Sequence, residues 1–294
     1  MADAALVTEF AAAKINLWLH VTGRRDDGYH LLDSLIAFAG IGDRLTLTAA
    51  DDLSLAITGP FSDGLATTND NLVIRAAWLL ASEAGIRPAA AITLEKNLPV
   101  ASGIGGGSAD AAAAIRGLSK LWNLDLPTDV TARLALRLGA DVPMCLAGKA
   151  ALASGIGEVL QPVDRIAPVW LVLVNPRIAL STPEIFRRRD SSFTDIPAPA
   201  ASKLADLSGL IAVLQERHND LQPPAIRLAP MVGGVLKRLH GLGGCRHAAM
   251  SGSGATCFGL FEDRQTAEQA ALQLSSENPE WWSAAAPLLS DAIA

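Results

Sequence analysis

The N-terminal part of the chain alternates apolar and polar positions in a pattern that predicts β-strands. Residues 11–22 alternate with a period of two, and a polar turn over residues 23–28 follows. Two shorter runs with the same alternation, at residues 45–47 and 53–57, flank the sequence Ala-Ala-Asp-Asp at residues 49–52. We expect these two runs to pair as a β-hairpin, because a short polar connection between alternating segments favours that arrangement.

Helical spacing replaces this alternation further along the chain. Apolar residues from Leu72 to Leu80 recur on one helical face, with Asn69 or Asp70 as the predicted cap and Gly85 near the end. Further helices are predicted over residues 108–121, 128–139, 202–217, 225–240 and 264–275. Strands are predicted over residues 91–94, 169–174 and, on either side of a turn, within 247–261. The mixture of hairpins and helices predicts an α+β fold rather than a doubly wound sheet.

Length and composition describe a globular chain with a sizeable core. The chain has 294 residues, of which 50% are hydrophobic, and this suits one or two domains. Pro162 and Pro168 flank a short connector, so we expect a domain boundary there, with domains over residues 1–162 and 163–294.

Charge and cysteine usage exclude several classes of protein. The net charge of −6 argues against a nucleic-acid partner bound through a basic face. Cys145, Cys245 and Cys257 lie far apart without metal-ligand spacing, which suits small buried residues in a reducing cytoplasm. No apolar run approaches the roughly 20 residues of a membrane span, and no basic segment of a signal peptide precedes Glu9. We therefore expect a cytoplasmic protein without a membrane partner, either a monomer or a homodimer.

A glycine-rich segment at residues 103–107 is the strongest chemical signal. It follows the strand predicted at 91–94 and precedes the helix predicted from Ser108, so backbone N–H groups without helical partners lie at a positive dipole end. Such a turn predicts a phosphate site. It lacks the lysine of a Walker A loop, and Ser108 replaces the third glycine of a dinucleotide fingerprint. A flexible loop and a variant dinucleotide fold remain the alternatives.

Polar residues at even spacing interrupt the first predicted strand. Lys14, Asn16 and His20 fall on one face if the alternation continues through residue 20. A lysine within an apolar strand is costly unless it is paired, so Lys14 is a candidate functional cation. The alternative is a residue on an exposed face.

Two further segments carry candidate chemistry. Asp141 follows a predicted helix end and precedes Pro143, so it is either a general base or an ordinary turn aspartate. Tyr29, the only tyrosine, and His30 follow the polar turn. They would stack on and hydrogen-bond to a flat ligand, or they are simply buried.

The order of these motifs resembles that of the GHMP small-molecule kinases. The segment around Lys14 and residues 23–30 comes first, followed by residues 99–112, 138–143 and 250–255. The resemblance covers residues 8–261 and is most specific in the segments that contain His30 and Asp141. It implies a two-domain α+β fold. Residues 1–162 would form an ATP-binding catalytic domain like domain 2 of ribosomal protein S5, and residues 163–294 a substrate-side domain of the ferredoxin-like α/β sandwich type.

The resemblance also implies an activity, namely transfer of the γ-phosphoryl group of ATP to a hydroxyl. Asp141 would accept the hydroxyl proton, and Lys14 would lie beside it and the moving group. Mg²⁺ would bridge the phosphates, with Ser108 as a ligand. The residues implied to wrap the ATP phosphates are Pro99, Val100, Ala101, Ser102, Gly103, Ile104, Gly105, Gly106, Gly107, Ser108 and Ala109.

The branch of the family that the sequence resembles acts on a cytidyl diphosphate sugar alcohol. By that resemblance, Tyr29 and Phe186 sandwich the cytosine ring, His30 hydrogen-bonds its edge, Asn16 holds the sugar alcohol and Thr182 lies nearby. The alternatives are a GHMP kinase of the homoserine or mevalonate type, which would leave residues 28–30 without a task, and a non-catalytic ligand-binding relative. A nicotinamide-dependent oxidoreductase is disfavoured, because there is no clean βαβ unit with a distant acidic residue.

Overall fold

The computed structural model of the protein describes residues 6–291 and residue 293, and its strands form two separate sheets. The first sheet has six strands and is built around one long central strand. The strands of this sheet are β1 (Leu6–Arg24), β2 (His30–Thr48), β3 (Ser54–Thr58), β4 (Ala91–Glu95), β5 (Ala151–Ser154) and β6 (Val159–Pro162). Strand β2 is the central one, with β1 antiparallel to it and with β4 and β5 on its other edge.

The second sheet is fully antiparallel, with the strand order β10-β7-β9-β8. Its strands are β7 (Trp170–Asn175), β8 (His247–Met250), β9 (Cys257–Phe261) and β10 (Trp282–Pro287). Helices separate β7 from β8 and β9 from β10, which gives the βαββαβ connectivity of ferredoxin-like folds. The turn at residues 251–254 joins β8 to β9, as the sequence predicts, whereas β10 had no signal that we recognised.

The helices lie between and beside these strands. They are α1 (Leu72–Ala84), α2 (Gly106–Leu121), α3 (Thr128–Leu138), α4 (Val142–Ala147), α5 (Thr182–Arg187), α6 (Leu207–Gln215), α7 (Gln222–Leu228), α8 (Pro230–His240) and α9 (Arg264–Glu277), with a short 3-10 helix at Ala201–Leu204. The cap of α1 is Asn71, whose side chain accepts from the Val73 N–H, rather than Asn69 or Asp70. None of the helices in the described part of the chain has the length and apolar character needed to span a bilayer.

Two predicted helices are each divided in two. The helix predicted over 225–240 breaks at Pro230, because proline cannot donate to the preceding turn and instead starts α8. The segment predicted as 202–217 is a 3-10 turn followed by α6, which Asp206 caps by accepting the Gly209 N–H.

The two sheets share a core, which explains the unbroken apolar pattern of β7. Leu171 and Leu173 pack into a cluster shared with β1 and β2, whereas Val172 and Val174 pack into a second cluster under α8 and α9. A strand buried on both faces needs apolar residues at every position. Helices α1 to α4 cover the opposite face of the first sheet through a third cluster.

The predicted hairpin between residues 45–47 and 53–57 is wrong. Strand β3 pairs in parallel with β4, and β4 lies between β3 and β2. The connection β3–α1–β4 is therefore a crossover, and a parallel pair needs the intervening helix. The local alternation located β3 and only the last residues of β2, and it carried no information about which strand lies beside which.

The prediction that Lys14, Asn16 and His20 share one face is wrong for His20. Lys14 and Asn16 line the main cavity, but the pairing of β1 with β2 shifts register between Asn16 and Trp18. A bulge of one residue moves all later side chains to the opposite face. Leu19 consequently lines the cavity, and His20 is fully buried beside Asp33, with His20 Nδ1 3.3 Å from Asp33 Oδ2.

Candidate active site

The glycine-rich loop leads directly into helix α2. Gly105 is the N-terminal cap in the left-handed region, with φ of 66°, and its carbonyl accepts the Ala109 N–H at 2.8 Å. The helix starts at Gly106, two residues earlier than the pattern predicted. The first N–H groups of α2 have no partner within the helix, so they point with the positive dipole end into the cavity that residues 105–108 line. This geometry suits a phosphate group.

A second loop, at residues 251–254, packs against the first. A Cβ on Gly103 would lie 2.6 Å from the Gly254 carbonyl oxygen and 2.7 Å from that of Ser251. The Ser251 hydroxyl donates to the Gly103 carbonyl at 3.1 Å, and the Thr256 N–H donates to the Ser102 carbonyl at 3.1 Å. The turn after β8 therefore supports the glycine-rich loop from the second sheet, and only glycine fits at the crossing.

Lys14 lies against the same loop. Its backbone N–H donates to the Ile104 carbonyl at 2.9 Å, and a Cβ on Gly105 would lie 3.2 Å from Lys14 Cε. The ammonium is buried, and its Nζ lies 3.3 Å from Asp141 Oδ2 and 2.8 Å from Asn16 Oδ1. These contacts place a cation from the first strand beside a carboxylate from the start of α4, at the edge of the phosphate-sized turn.

Asp141 occupies the position before the short helix α4, which the sequence had only predicted as a turn. Its carbonyl accepts the Cys145 N–H at 3.2 Å, and its side chain makes no capping hydrogen bond to the helix. The side chain is 45% exposed. The carboxylate is thus held at the mouth of the cavity, where a ligand hydroxyl can reach it.

One cavity of about 530 Å³ contains most of the predicted site residues. Of these residues, the ones that line the cavity are Lys14, Asn16, Pro99, Val100, Ala101, Ser102, Gly103, Gly105, Gly106, Gly107, Ser108, Asp141, Thr182 and Phe186. Ile104 and Ala109 are buried behind the loop, and Tyr29 and His30 lie outside the lining. The phosphate-sized turn, the Lys14–Asp141 pair and an aromatic ring therefore share one opening.

Two of the three residues predicted to bind a cytosine ring, His30 and Phe186, contact each other in the structure. The rings of His30 and Phe186 stack on each other, with centroids 4.8 Å apart, whereas Tyr29 is 59% exposed. Partial burial, and then the charges of Arg24 and Arg189, lower the pKa of His30, so its ring is neutral at pH 7. His30 thus covers one face of Phe186.

A buried ion cluster below the glycine-rich loop was not predicted. The Lys96 ammonium contacts Asp43 Oδ2 and lies 2.7 Å from Asp110 Oδ2, and all three residues are almost fully buried. Burial lowers the pKa of Lys96, but the two carboxylates outweigh burial and the net shift is upward. Asp43 also accepts the N–H groups of Asn97 and Leu98, so it fixes the entry to the loop. Lys96 follows an ordinary alternating strand, so no local signal could have identified it.

We expect Lys96→Met to destabilise the fold by about 3–5 kcal/mol, because it leaves two buried carboxylates facing each other. The loss should be smaller at pH 5 than at pH 8, since protonation relieves the repulsion at low pH. Urea denaturation monitored by tryptophan fluorescence measures it, with Lys203→Met at an exposed position as the control. A loss below about 1 kcal/mol at pH 8 would contradict a structural role for this cluster.

The side-chain oxygens that line the cavity suit a magnesium ion that is bound mainly through phosphates. Ser108, Asp110 and Asp141 line the cavity, and Asp110 Oδ1 is buried with no hydrogen-bond partner among the described residues. Burial raises the pKa of the Asp110 carboxyl above its usual range. Within the same described part, no group of three His, Cys, Asp or Glu side chains forms a metal site on its own. Mg²⁺ commonly takes only one or two protein ligands and completes its shell with phosphates and water.

The glycine-rich turn before α2 and the Lys14–Asp141 pair share one cavity, an arrangement that suits a kinase acting on a small molecule. The family profile of the GHMP kinases N terminal domain matches residues 71–149, and that of the GHMP kinases C terminal domain matches residues 198–280. The chain belongs to the GHMP kinases, which confirms the resemblance and the α+β class.

Full-length relatives place it more narrowly. The 4-diphosphocytidyl-2-C-methyl-D-erythritol kinase of Paramagnetospirillum magneticum is 51% identical over 280 residues, which cover 95% of this chain and 98% of the relative. The kinase of the same name from Rhodospirillum rubrum is 49% identical, with 97% and 93% covered. Within the GHMP kinases, the chain is a member of this kinase family.

Solved structures agree at the level of the whole fold. The crystal structure of a 4-(cytidine 5'-diphospho)-2C-methyl-D-erythritol kinase superposes with a TM-score of 0.78 at 34% identity, covering 96% of this chain and 98% of the other. A homoserine kinase from Cytophaga hutchinsonii superposes with a TM-score of 0.71 at 17% identity, covering 98% and 96%. The second match shows a shared fold alone.

Proposed function

We propose that the protein transfers the γ-phosphoryl group of ATP to the 2-hydroxyl of 4-(cytidine 5'-diphospho)-2-C-methyl-D-erythritol, in the non-mevalonate route to isoprenoids. The observation that carries the proposal is the 3.3 Å contact between Lys14 Nζ and Asp141 Oδ2, at the edge of the glycine-rich turn. The family membership supports the substrate. In this proposal residues 1–162 hold the nucleotide and residues 163–294 complete the substrate side.

Phosphoryl transfer depends on positioning and on charge stabilisation more than on covalent chemistry. The N–H groups at the start of α2 would hold the ATP phosphates, in place of the lysine that a Walker A loop supplies. The wall of residues 99–103, supported by the 251–254 turn, would keep the phosphates from moving away from those donors.

Asp141 would accept the proton of the 2-hydroxyl while the hydroxyl oxygen forms its bond to the γ-phosphorus and the bond to ADP breaks. Lys14 has three N–H donors. Asn16 Oδ1 accepts one of them, and the ammonium forms an ion pair with Asp141 Oδ2 at 3.3 Å, which leaves donor capacity for an oxygen of the moving phosphoryl group. In this proposal Asp141 takes the proton, and Lys14 stabilises the negative charge of the phosphoryl group.

When bound, Mg²⁺ would supply positive charge that offsets the charge of the ATP phosphates, and Ser108 would be one of its ligands. Ser108 lines the cavity, and among the described residues the buried Asp110 Oδ1 has no hydrogen-bond partner; both observations support a site there.

At the other end of the cavity, Phe186 and Tyr29 would sandwich the cytosine and His30 would bind its edge. In this proposal the base would take the face of Phe186 that His30 covers, and the His30 ring would turn away from Phe186. The neutral imidazole has one donor and one acceptor, and both suit the polar edge of cytosine. Asn16 and Thr182 line the cavity between this end and Lys14, where the erythritol unit would lie.

Tyr29→Ala should raise KM for the cytidyl substrate by about tenfold and leave KM for ATP within about twofold, because stacking contributes about 1–3 kcal/mol per base. Steady-state kinetics with each substrate varied in turn measures this split. Phe193→Ala removes another exposed ring from outside the cavity and should change neither constant. Equal damage to both constants in Tyr29→Ala would count against the sandwich.

An ADP-release assay with a panel of acceptors tests the proposed function. We expect release with 4-(cytidine 5'-diphospho)-2-C-methyl-D-erythritol and at most background release with homoserine, mevalonate or the erythritol phosphate without cytidine. Faster turnover of homoserine or mevalonate would assign the chain to another GHMP activity. No release with any acceptor, from folded protein that binds ATP, would favour a non-catalytic relative.

A further inference from the structure

A chain of hydrogen bonds leads from strand β2 to the Lys14 ammonium. The Ser34 hydroxyl donates to the Trp18 carbonyl at 2.5 Å, and Asn16 Nδ2 donates to Ser34 Oγ at 2.8 Å. Lys14 Nζ then donates to Asn16 Oδ1 at 2.8 Å. Ser34, Asn16 and Lys14 are each at most 4% exposed, so bulk water cannot readily replace these bonds.

The direction of each bond in this chain is determined by chemistry. A carbonyl oxygen can only accept, so the single hydroxyl hydrogen of Ser34 goes to Trp18. Ser34 Oγ must therefore accept from Asn16, and only the NH₂ side of that amide can donate. The amide oxygen of Asn16 is left facing Lys14, which can only donate. A reversed amide would place acceptor against acceptor at Ser34 and donor against donor at Lys14.

We propose that Ser34 is a positioning residue that fixes the Asn16 amide with its oxygen towards the Lys14 ammonium. The proposal rests on the proposed function, because Lys14 matters only if phosphoryl transfer occurs beside it. Asn16 Oδ1 draws the ammonium away from Asp141, whose oxygen lies farther from Nζ, at 3.3 Å. Without this acceptor the ammonium would move onto the carboxylate, and an oxygen held by a close cation accepts a proton less readily.

The local strand geometry explains why a serine on β2 can do this. The register shift between Asn16 and Trp18 places Asn16 opposite Ile36 and Leu19 opposite Ser34. The bulge at this point brings the Trp18 carbonyl and the Asn16 side chain to the same hydroxyl. The irregularity that moved His20 away from the cavity is therefore also the feature that assembles the relay.

A double-mutant cycle tests the relay through turnover. Ser34→Ala should lower kcat by about tenfold with KM for ATP changed by less than about twofold, as expected for one lost buried hydrogen bond that acts on the chemical step. In an Asn16→Ala background, Ser34→Ala should lower kcat no further, because the amide that it orients is gone. Ser34→Thr, which keeps the hydroxyl, should retain kcat to within about threefold, and Ser34→Cys, which keeps the size but bonds weakly, should resemble Ser34→Ala.

The same relay can be observed without turnover. In NMR spectra, the side-chain amide hydrogens of Asn16 should exchange with solvent about tenfold faster in Ser34→Ala than in the native chain. An equal loss of kcat from Ser34→Ala in both backgrounds, or an unchanged exchange rate, would overturn the positioning role. Failure of the native chain to phosphorylate the cytidyl substrate would instead overturn the proposed function, and the exchange measurement would still decide the role of Ser34.

Discussion

Asp141→Asn is expected to lower kcat by about 100-fold or more, with little change in KM for ATP. An amide has nearly the shape of the carboxylate but cannot take up the proton of an attacking hydroxyl. Nucleotide binding should survive, because the proposed phosphate donors are backbone N–H groups of the glycine-rich loop and not the side chain of residue 141. Steady-state kinetics, with ATP and the cytidyl acceptor varied separately, measures both effects.

The control for this substitution is Asp129→Asn. Asp129 lies in the first turn of α3, pairs with Arg133 on the surface and is absent from the cavity lining, so the same chemical change there should leave kcat within about twofold. Circular dichroism and the unfolding midpoint establish that both variants are folded. Turnover close to normal in folded Asp141→Asn would refute the assignment of the base.

Lys14→Met is expected to have an effect of similar size, again about 100-fold or more on kcat. Methionine retains most of the apolar stem that packs on Gly105. It has no positive charge, so it cannot stabilise the negative charge of the moving phosphoryl group. The fold should tolerate the change at a cost of about 1–3 kcal/mol, because the half-exposed Asp141 can be solvated whereas the buried Asn16 Oδ1 loses its donor. KM for ATP should change only modestly, because the amides of the loop remain in place.

A matched control for Lys14→Met is Lys149→Met, which removes an exposed ammonium outside the cavity lining and should leave turnover unchanged. Combining Lys14→Met with Asp141→Asn adds a second test. Residues that act as a unit are strongly non-additive, so the double variant should be only slightly slower than either single variant. Fully multiplicative losses would indicate that the two residues act in separate steps.

The glycine-rich turn was the part of the site that the sequence predicted from physical chemistry alone. Four glycines within residues 103–107, followed by an alanine-rich helical segment, need no knowledge of distant residues, because helix termini create anion sites locally. The apolar strand β7 was predictable for the same reason. Because both of its faces are buried, its residues form a continuous apolar run that is visible in the local sequence.

Contacts between distant residues were beyond the reach of local patterns. Asp141 by itself looks like a turn aspartate, and Lys14 looks like a residue on an exposed strand face. Their convergence was expected only through the family resemblance, and the 3.3 Å contact depends on how α4 packs beside β1. The Lys96 cluster, which the resemblance did not suggest, was missed entirely because its three members come from β2, the end of β4 and α2.

The wrong predictions have the same origin. Alternation at residues 53–57 defines a strand, but the position of β4 between β3 and β2 is decided by tertiary packing. One bulged residue after Asn16 moved His20 to the opposite face, and a bulge leaves no sign in an apolar segment. The stack between His30 and Phe186 was not predicted either, because it joins residues that the sequence keeps far apart.

The most direct test of the central claim is to identify the product. Native protein is incubated with ATP, Mg²⁺ and 4-(cytidine 5'-diphospho)-2-C-methyl-D-erythritol, and the acceptor is analysed by mass spectrometry and by phosphorus NMR. We predict one added phosphoryl group on the 2-hydroxyl, formed about 100-fold more slowly by Asp141→Asn and by Lys14→Met. An unmodified acceptor, or a phosphoryl group on another hydroxyl, would contradict the proposed role of the Lys14–Asp141 pair.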